Sequence, residues 1–280
     1  MKKTLIALTV AVSAVSGVAH AWTSGNFNDS FDINGTIAVD AYSYKWEWMI
    51  GESLSFHNTT RDLTGENNVL SITQSRPVPI LLGRTKEAFS APSIGVGAIP
   101  LISFSDYEGN DVLLQDSSED NKGYFVLPMK DPDGQKLGQV KVNVMSAGLV
   151  IDGVSSVSGE TSMAMYSGVK SSDRMGIYYG GLVSSPKGTG SVMSEIVSKF
   201  GNYDHNALLT QLIAAEPNVD VNQIAPTNAP QSVNMVDYGA KASSYALGID
   251  QGQTIEATFT NPVTRTTQWS APLNVAVTYN

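Results

Sequence analysis

The segment GYFVLPMKDPDGQKLGQVKVNV, residues 123–144, carries the clearest local structural signal in the sequence. At its centre is the turn DPDG, residues 131–134, in which proline presets φ and glycine accepts a positive φ. Beyond the turn, Val140, Val142 and Val144 fall on one face of an extended segment, with polar side chains between them. The segment therefore predicts a β-hairpin.

Short alternating runs of this kind, separated by turn residues, recur along most of the chain. Strands at this spacing predict an all-β, immunoglobulin-like sandwich. A plain sandwich of that type needs only about 100 residues, whereas this chain has 280. The excess length and a break in the alternation predict an inserted, partly helical subdomain over approximately residues 146–240.

Two helices and a loop are predicted within this insertion. Ser191 is the expected N-cap of the first helix, and Gly201 suits the left-handed position after its end. Asp204 is the expected N-cap of the second helix, which Pro217 terminates. The Pro- and Asn-rich stretch from Glu216 to Gln231 is predicted to be a loop. Insertions on a β scaffold often carry binding functions, although this one could also only fill a contact between subunits.

The composition argues against several classes of protein. Apolar residues make up 42% of the chain and charged residues 15%, which suits a packed core. Acidic side chains outnumber basic ones, 26 to 17, so the net charge of −9 argues against a nucleic-acid partner. With no cysteine and three histidines, we expect no disulfide framework, no metal site, no cofactor and no enzymatic activity.

The first residues predict export. A basic start, MKK, precedes the small and apolar run from Thr4 to Val18, and AHA at residues 19–21 matches the pattern that signal peptidase cleaves. The apolar run is shorter than the ~20 residues of a membrane-spanning helix. We expect residues 1–21 to be a signal peptide and the mature chain to begin at Trp22. It would pass through the periplasm to the cell surface.

Residues 22–39 form a predicted N-terminal extension, and residues 40–280 the sandwich domain with its insertion. Every second residue of the extension from Phe27 to Val39 lies on a mainly apolar face. The simpler interpretation is the first strand of the sandwich itself. The alternative is a donor strand that completes a neighbouring subunit through main-chain hydrogen bonds and alternate side chains. Its expected groove-facing residues are Phe27, Phe31, Ile33, Gly35 and Ile37.

The last segment of the sequence also alternates, with Leu273, Val275, Val277 and Tyr279 on its apolar face. An apolar terminal strand with a penultimate aromatic residue is what a periplasmic assembly chaperone grips in pilus subunits. The same segment also fits a final core strand, and the two interpretations are compatible.

Several longer blocks carry a family resemblance: WTSGNFN (22–28), KWEW (45–48), LLGRTKEAF (81–89), YFVLPMK (124–130), YGGL (179–182), YALGI (245–249), GQTIEATF (252–259) and TQWSAPLNVAV (267–277). These blocks resemble the Fae-type subunits of chaperone–usher fimbriae, the thin fimbriae of enterotoxigenic and related enteric bacteria. The resemblance extends over the whole predicted mature chain, although residues 49–79 and 150–240 match poorly in detail.

The resemblance implies an incomplete immunoglobulin-like sandwich, completed first by a chaperone strand and then by the next subunit's donor strand. The implied partners are neighbouring subunits of a homopolymer, a periplasmic chaperone, an outer-membrane usher and host glycans. It also implies adhesion to host glycoconjugates, through a receptor site within residues 150–240. The family contains major adhesive and minor structural subunits, so a structural minor subunit is an alternative. A soluble periplasmic binding module is another.

Tyrosine offers sugars a flat apolar face and a hydroxyl group, so the tyrosines of the insertion are candidates for receptor contacts. The tyrosines and the polar residues that could assist them are Tyr166, Tyr178, Tyr179, Tyr203, Tyr238, Arg174, Lys199 and Asn202. Among them we predict Arg174, Tyr178 and Tyr179 as receptor-binding residues. Tyr179 is favoured because the glycine pair that follows it allows a close approach of the backbone.

Overall fold

The computed structural model describes residues 40–90, 95–154, 162–237 and 239–280. This part of the chain is mostly β-structure with two α-helices, which confirms the all-β, sandwich-like fold class. Several predictions lie outside the described residues: the signal peptide (1–21), the donor strand (22–39, with Phe27, Phe31, Ile33, Gly35 and Ile37) and Tyr238.

In chain order the strands are β1 (Asp40–Ala41), β2 (Trp46–Ile50), β3 (Leu63–Thr64), β4 (Val69–Thr73), β5 (Val78–Thr85), β6 (Gly95–Val96), β7 (Pro100–Ser105), β8 (Asp111–Val112), β9 (Gln115–Asp116), β10 (Lys122–Lys130), β11 (Lys136–Val154), β12 (Ser162–Lys170), β13 (Val219–Pro226), β14 (Gln231–Ser232), β15 (Lys241–Ile249), β16 (Thr254–Phe259) and β17 (Asn274–Tyr279). The α-helices are α1 (Gly190–Lys199) and α2 (His205–Ala215), and short 3₁₀ turns occupy Ser43–Lys45 and Thr60–Asp62.

The predicted hairpin is confirmed. Strands β10 and β11 pair antiparallel, with Tyr124 opposite Asn143, and Gly134 in the connecting turn has a φ of 84°. Along β10 every second residue from Gly123 to Met129 is buried, and the residues between them are half-buried. The hairpin therefore has one face in the core and one face toward the outside.

Strand β11 joins two parts of one curled sheet. Up to Met145 it pairs with β10 and β16, and beyond Met145 it pairs with β15 and then β12. We call β10, β16, β4, β3 and the first half of β11 the first half-sheet. The second half-sheet consists of β12, β15, β5, β2 and the second half of β11.

The first core is formed by both half-sheets together with a small sheet of β17, β7 and β8. Fully buried side chains from all three meet in it, including Phe125, Leu127, Val140, Ile255, Leu81, Tyr245, Leu247, Ile102 and Phe104. Burial of one such side chain stabilises the fold by about 1.5–3 kcal/mol. This core therefore provides much of the free energy that holds the sandwich together.

A second core lies on the other face of the second half-sheet, where α1 and α2 cover it. Its buried side chains include Leu82, Met145, Ala147, Leu149, Ile151, Met193, Ile196, Val197, Leu208 and Leu212. Strand β15 contributes to both cores and is buried at every position. The predicted limits of the insertion, Ser146 and Ala240, fall within β11 and just before β15, two strands that pair with each other.

Helix α1 matches the first predicted helix, but its N-cap differs. The cap is Thr189, whose hydroxyl oxygen accepts a hydrogen bond from the Val192 N–H at 3.4 Å. The prediction of Ser191 is wrong because Ser191 already lies in the first turn, where its hydroxyl contacts that of Tyr166 at 3.2 Å. Gly201 follows the helix with a φ of 86°, as expected.

Helix α2 has the predicted N-cap, since Asp204 accepts a hydrogen bond from the Ala207 N–H at 2.9 Å. It ends before Pro217, also as predicted. The predicted loop from Glu216 to Gln231 is wrong, because β13 occupies much of it and pairs parallel with β12. Within the described chain β13 pairs with no other strand, and such an edge strand tolerates Pro226 at its end.

Asn202, between the two helices, ties the helical layer to the second half-sheet. Its side-chain amide donates to the carbonyl oxygens of Gly83 and Tyr245, each at 2.8 Å. These two residues face each other in β5 and β15, so one amide spans both strands. Asn202 is only 8% exposed, and water is poorly placed to replace it.

We expect Asn202→Ala to lower the free energy of unfolding by about 1–3 kcal/mol, because it leaves two buried carbonyl groups without their partner. The matched control is Asn206→Ala, at an exposed position of α2, for which a change within about 0.5 kcal/mol is expected. Urea denaturation of both variants provides the measurement. Equal stabilities would contradict the assigned role of Asn202.

Candidate assembly groove and receptor surface

Strands β2 and β17 each have a free edge in the described part of the chain. Strand β2 ends the second half-sheet and pairs only with β5, and β17 ends the small sheet and pairs only with β7, within the residues described. The indole N–H of Trp48 on β2 donates to the hydroxyl oxygen of Tyr279 on β17 at 2.9 Å. This bond brings the two edge strands together, and we call the region between them the assembly groove.

The apolar face of β17 is only partly covered. Val275, Val277 and Tyr279 pack against the first core but remain half-buried, and the residues between them are exposed. In β16, by contrast, each inward-facing side chain is fully buried. Residues 273–279 thus include the predicted final strand, with Leu273 half-buried just before it. That a chaperone contacts this strand stays a prediction.

The free edge of β2 also exposes apolar side chains. Met49 is 53% exposed and Ile50 is 62% exposed. Exposed apolar edge strands favour association with another chain, and natural proteins usually protect them with charges, proline or a covering segment. The assembly groove therefore offers both unpaired main-chain groups and apolar surface to an additional strand.

Aromatic side chains pack beneath this groove. The ring of Trp48 lies 6.2 Å from both Tyr178 and Tyr245, measured between centroids. Gly83 leaves room for it, since a Cβ at that position would come 2.2 Å from the Trp48 ring. Burial raises the pKa of the Tyr178 and Tyr245 hydroxyls. Both stay protonated, and the hydroxyl of Tyr245 donates to the Gly181 carbonyl oxygen at 2.6 Å.

The structure corrects one of the predicted receptor-binding residues. Tyr178 is fully buried, and its hydroxyl lies 2.7 Å from that of Ser243, so its side chain is part of the core and does not reach a ligand. Tyr179 is half-buried beside β7, where its carbonyl oxygen accepts from the Ile102 N–H. Arg174 is exposed, and its carbonyl oxygen accepts from the Asn280 side chain at 2.9 Å. Both therefore adjoin the small sheet.

The other predicted contributors from the insertion have structural partners. Tyr166 is buried and stacks on His205 at 4.4 Å, and Tyr203 lies under the guanidinium of Arg84 at 3.8 Å. Lys199 forms an ion pair with Asp250 at 2.9 Å. Asn202 uses its amide inside the fold, as described above, so it does not hydrogen-bond a receptor.

An electrostatically unusual carboxyl group lies at the end of β11. The pKa of Asp152 is raised to about 6, mainly by burial and also by the nearby carboxylates of Glu216 and Asp237. The ammonium group of Lys241, 3.9 Å away, acts in the opposite direction. Ionisation of Asp152 is therefore less favourable in the folded protein than in the unfolded chain.

No group of three or more His, Cys, Asp or Glu side chains in the described part of the chain is arranged to hold a metal ion. None of its helices is long and apolar enough to cross a membrane.

A sandwich fold by itself does not define a function, but sequence comparisons place the chain in a class. Residues 1–280 match the model of the family described as "Fimbrial, major and minor subunit". The chain therefore belongs to this family of fimbrial subunits. It is accordingly not an enzyme, it assembles with other subunits, and its place is a fimbrium at the cell surface.

Individual relatives support the same assignment. The chain is 46% identical to K88 fimbrial protein AB of Escherichia coli over 289 residues, which cover both chains completely. Identity to K88 fimbrial protein AC of the same species is also 46%. The F41 fimbrial protein of Escherichia coli is 27% identical, again over the full length of both chains.

The sequence analysis missed the edge position of β2. The alternation of Trp46 and Trp48 indicated a strand, but which strands lack a second neighbour depends on pairing across the whole chain. It also missed the polar outer face of the first half-sheet around Asn143 and Glu256. The alternation of β11 and β16 placed these residues outward, and nothing local showed that this face stays uncovered.

The pKa of Asp152, about 6 in the folded protein against an ordinary value of 3.8, makes its protonated form stabilising. This contribution is present in full below about pH 4 and is lost as the pH rises through about 6. Asp152→Asn, which stays neutral, should therefore raise the melting temperature at pH 7 and have little effect below pH 4. Because the Asp152 side chain is 38% exposed, solvent screening reduces the expected change in melting temperature.

Thermal unfolding between pH 4 and pH 8 measures this difference. The exposed carboxylate Asp111 provides the control, since Asp111→Asn should shift the melting temperature by a similar small amount at every pH. A pH-independent effect of Asp152→Asn would contradict the assignment.

Proposed function

We propose that this subunit polymerises by donor-strand complementation, with residues 22–39 of one copy filling the assembly groove of the next. The observation that carries the proposal is the pair of free edges on β2 and β17, which the Trp48–Tyr279 hydrogen bond brings together above a half-covered core. A strand placed there would extend both sheets through main-chain hydrogen bonds and cover the apolar face of β17.

The expected burial energy supports a stable contact between the donor strand and the assembly groove. Four apolar side chains of the donor segment, Phe27, Phe31, Ile33 and Ile37, would contribute roughly 6–12 kcal/mol in total, at about 1.5–3 kcal/mol each. That gross contribution is comparable to the whole stability of a typical domain, about 5–15 kcal/mol. The acceptor fold therefore depends strongly on its donor.

Such a subunit needs a temporary partner before it polymerises. In this proposal residues 1–21 direct export, and a periplasmic chaperone then occupies the groove by gripping Leu273, Val275, Val277 and Tyr279. An outer-membrane usher exchanges the chaperone strand for the donor strand of the next copy. The half-buried face of β17 supports the chaperone step, since it gives a partner strand apolar contacts along its length.

Deletion of residues 22–39 should leave a subunit that binds chaperone but forms no polymers. The same segment appended after Asn280 through a short flexible linker should give a stable monomer, because the donor strand then folds into its own groove. Size-exclusion chromatography and heat-dependent ladders on gels measure both outcomes. Normal fibres from the deletion variant would show that the segment is not the donor.

A pair of substitutions tests the register of the donor strand. Ile33→Asp places a charge on the expected groove face and should weaken the polymers, because an unpaired buried charge is costly. Asn34→Asp, the adjacent position on the opposite face, is the matched control and should polymerise normally.

We further propose that the polymer adheres to host glycoconjugates. The insertion elaborates the sandwich with two helices and places Tyr179 and Arg174 next to the small sheet. Exposed arginine and partly exposed tyrosine are side chains that suit sugar recognition. A structural minor subunit without receptor binding is the second candidate function, because the matching family includes both major and minor subunits.

Arg174→Ala and Tyr179→Ala should each reduce adhesion of fimbriated cells to intestinal epithelial cells several-fold without reducing fimbriation. Lys187→Ala, an exposed substitution in the same stretch of chain, serves as the control. If fibres of the parent protein adhere to no host glycan, the structural role is the correct one.

A further inference from the structure

The proposed donor strand leaves the body of the subunit at a fixed point. Strand β1 begins directly after the donor segment and pairs parallel with β6, with Ala41 opposite Val96. The Tyr42 N–H then donates to the Val96 carbonyl oxygen at 2.6 Å. These main-chain contacts anchor the root of the donor strand, so the segment that leaves the body starts from a defined place on its surface.

Little chain separates this root from the neighbouring subunit. Ile37 is the last residue expected to lie in the neighbour's groove, and it comes three residue steps before Asp40. An extended chain spans at most ~3.6 Å per residue, so the neighbour's groove must begin within roughly 11 Å of Asp40. The surface that surrounds the root therefore faces the neighbouring copy at short range.

Two large apolar side chains are exposed at this root. Tyr44, in the turn that follows β1, is 63% exposed, and Val96, on the strand that pairs with β1, is 57% exposed. The Gly97 N–H donates to the carbonyl oxygen of Asn280 at 3.0 Å, so the end of β17 meets the same place. We call Tyr44 and Val96 the root patch. It lies at the end of the assembly groove where β17 ends and β2 begins.

The opposite end of β2 carries a second apolar patch. Met49 and Ile50 are the last two residues of this edge strand, and they are 53% and 62% exposed. From Trp46 to Ile50 the strand covers about 13 Å, at ~3.3 Å per residue. We call Met49 and Ile50 the rim patch. One exposed apolar patch thus lies at each end of the free edge of β2.

Continued growth of a polymer decides which patches meet. If a donor strand entered the next groove from the root end, two root patches would face each other. A contact between identical surfaces is isologous and closes as a dimer, whereas an open chain of subunits needs a contact between different surfaces. An open polymer therefore requires the donor strand to enter at the other end of the groove, where the root patch of one copy meets the rim patch of the next.

We propose that the root patch of each copy docks on the rim patch of the next copy and forms a second interface beside the donor strand. The partner is another copy of this chain, and the inference rests on the donor-strand assembly proposed above. Docking removes the four exposed apolar side chains from water, which favours association. It also fixes the end from which each donor strand enters its groove.

The test exploits the absence of cysteine from the chain. Fibres of the double variant Val96→Cys, Ile50→Cys are treated with a short bismaleimide, whose two ends each add one thiol to form a thioether. Because the two sites of one chain lie at opposite ends of β2, the reagent joins them only across a contact between copies. Covalent ladders that persist after boiling on a reducing gel are expected from the double variant. Each single variant should run as a monomer on the same gel.

Leu113→Cys with Ile50→Cys is the matched control and should give no ladder. Leu113 is 75% exposed, but it follows β8, on the side of β7 away from β17.

A second measurement does not depend on the cross-linker. Val96→Ser and Ile50→Ser should each lower the temperature at which fibres dissociate, and leave unchanged the melting temperature of the monomer that carries its own donor segment after Asn280. Unchanged dissociation temperatures, ladders from the single variants, or fibres of the double variant without ladders would each overturn the proposal. Donor-strand assembly would still stand, because deletion of residues 22–39 tests it separately.

Discussion

The continuity of β11 is the constraint on which the rest of the structure depends. A single strand of 19 residues takes part in both half-sheets, so its two faces must suit different surroundings along its length. Its inward residues Val140, Val144 and Val150 contribute to the first core, which lies beneath both halves. Its outward residues change from polar to apolar at Met145, where the helical layer begins.

That change determines which surfaces the molecule presents. Where α1 and α2 cover the second half-sheet, β15 is enclosed on both sides and carries side chains for two cores. The buried amide of Asn202 and the half-buried amide of Gln211 donate to strand carbonyls between the helices and the sheet, the latter to the Thr85 carbonyl oxygen at 2.7 Å. The first half-sheet lacks such a layer in the described chain, so its outer face stays polar and open.

The free edges of β2 and β17 are the second consequence. A sandwich usually protects its edge strands, because unpaired main-chain groups and apolar side chains promote association. Here Met49 and Ile50 are exposed, and β17 keeps its apolar face only half covered. The chain belongs to a family of fimbrial subunits, which assemble with other subunits, and the donor-strand proposal assigns these exposed edges to that assembly.

Local periodicity in the sequence determined the elements whose side chains follow a repeating environment. The β10–β11 hairpin, the alternation of residues 273–279 and the Asp204 cap all belong to this group, because turn, strand and cap geometry depend on neighbouring residues. The tertiary structure alone decided the rest. Strand β13 exists because a distant parallel partner, β12, is available, and Tyr178 is buried because the small sheet and β15 close around it. The edge position of β2 and the open face around Glu256 likewise depend on which distant strands and helices pack where, and contacts between residues far apart in the chain leave no periodic signal in it.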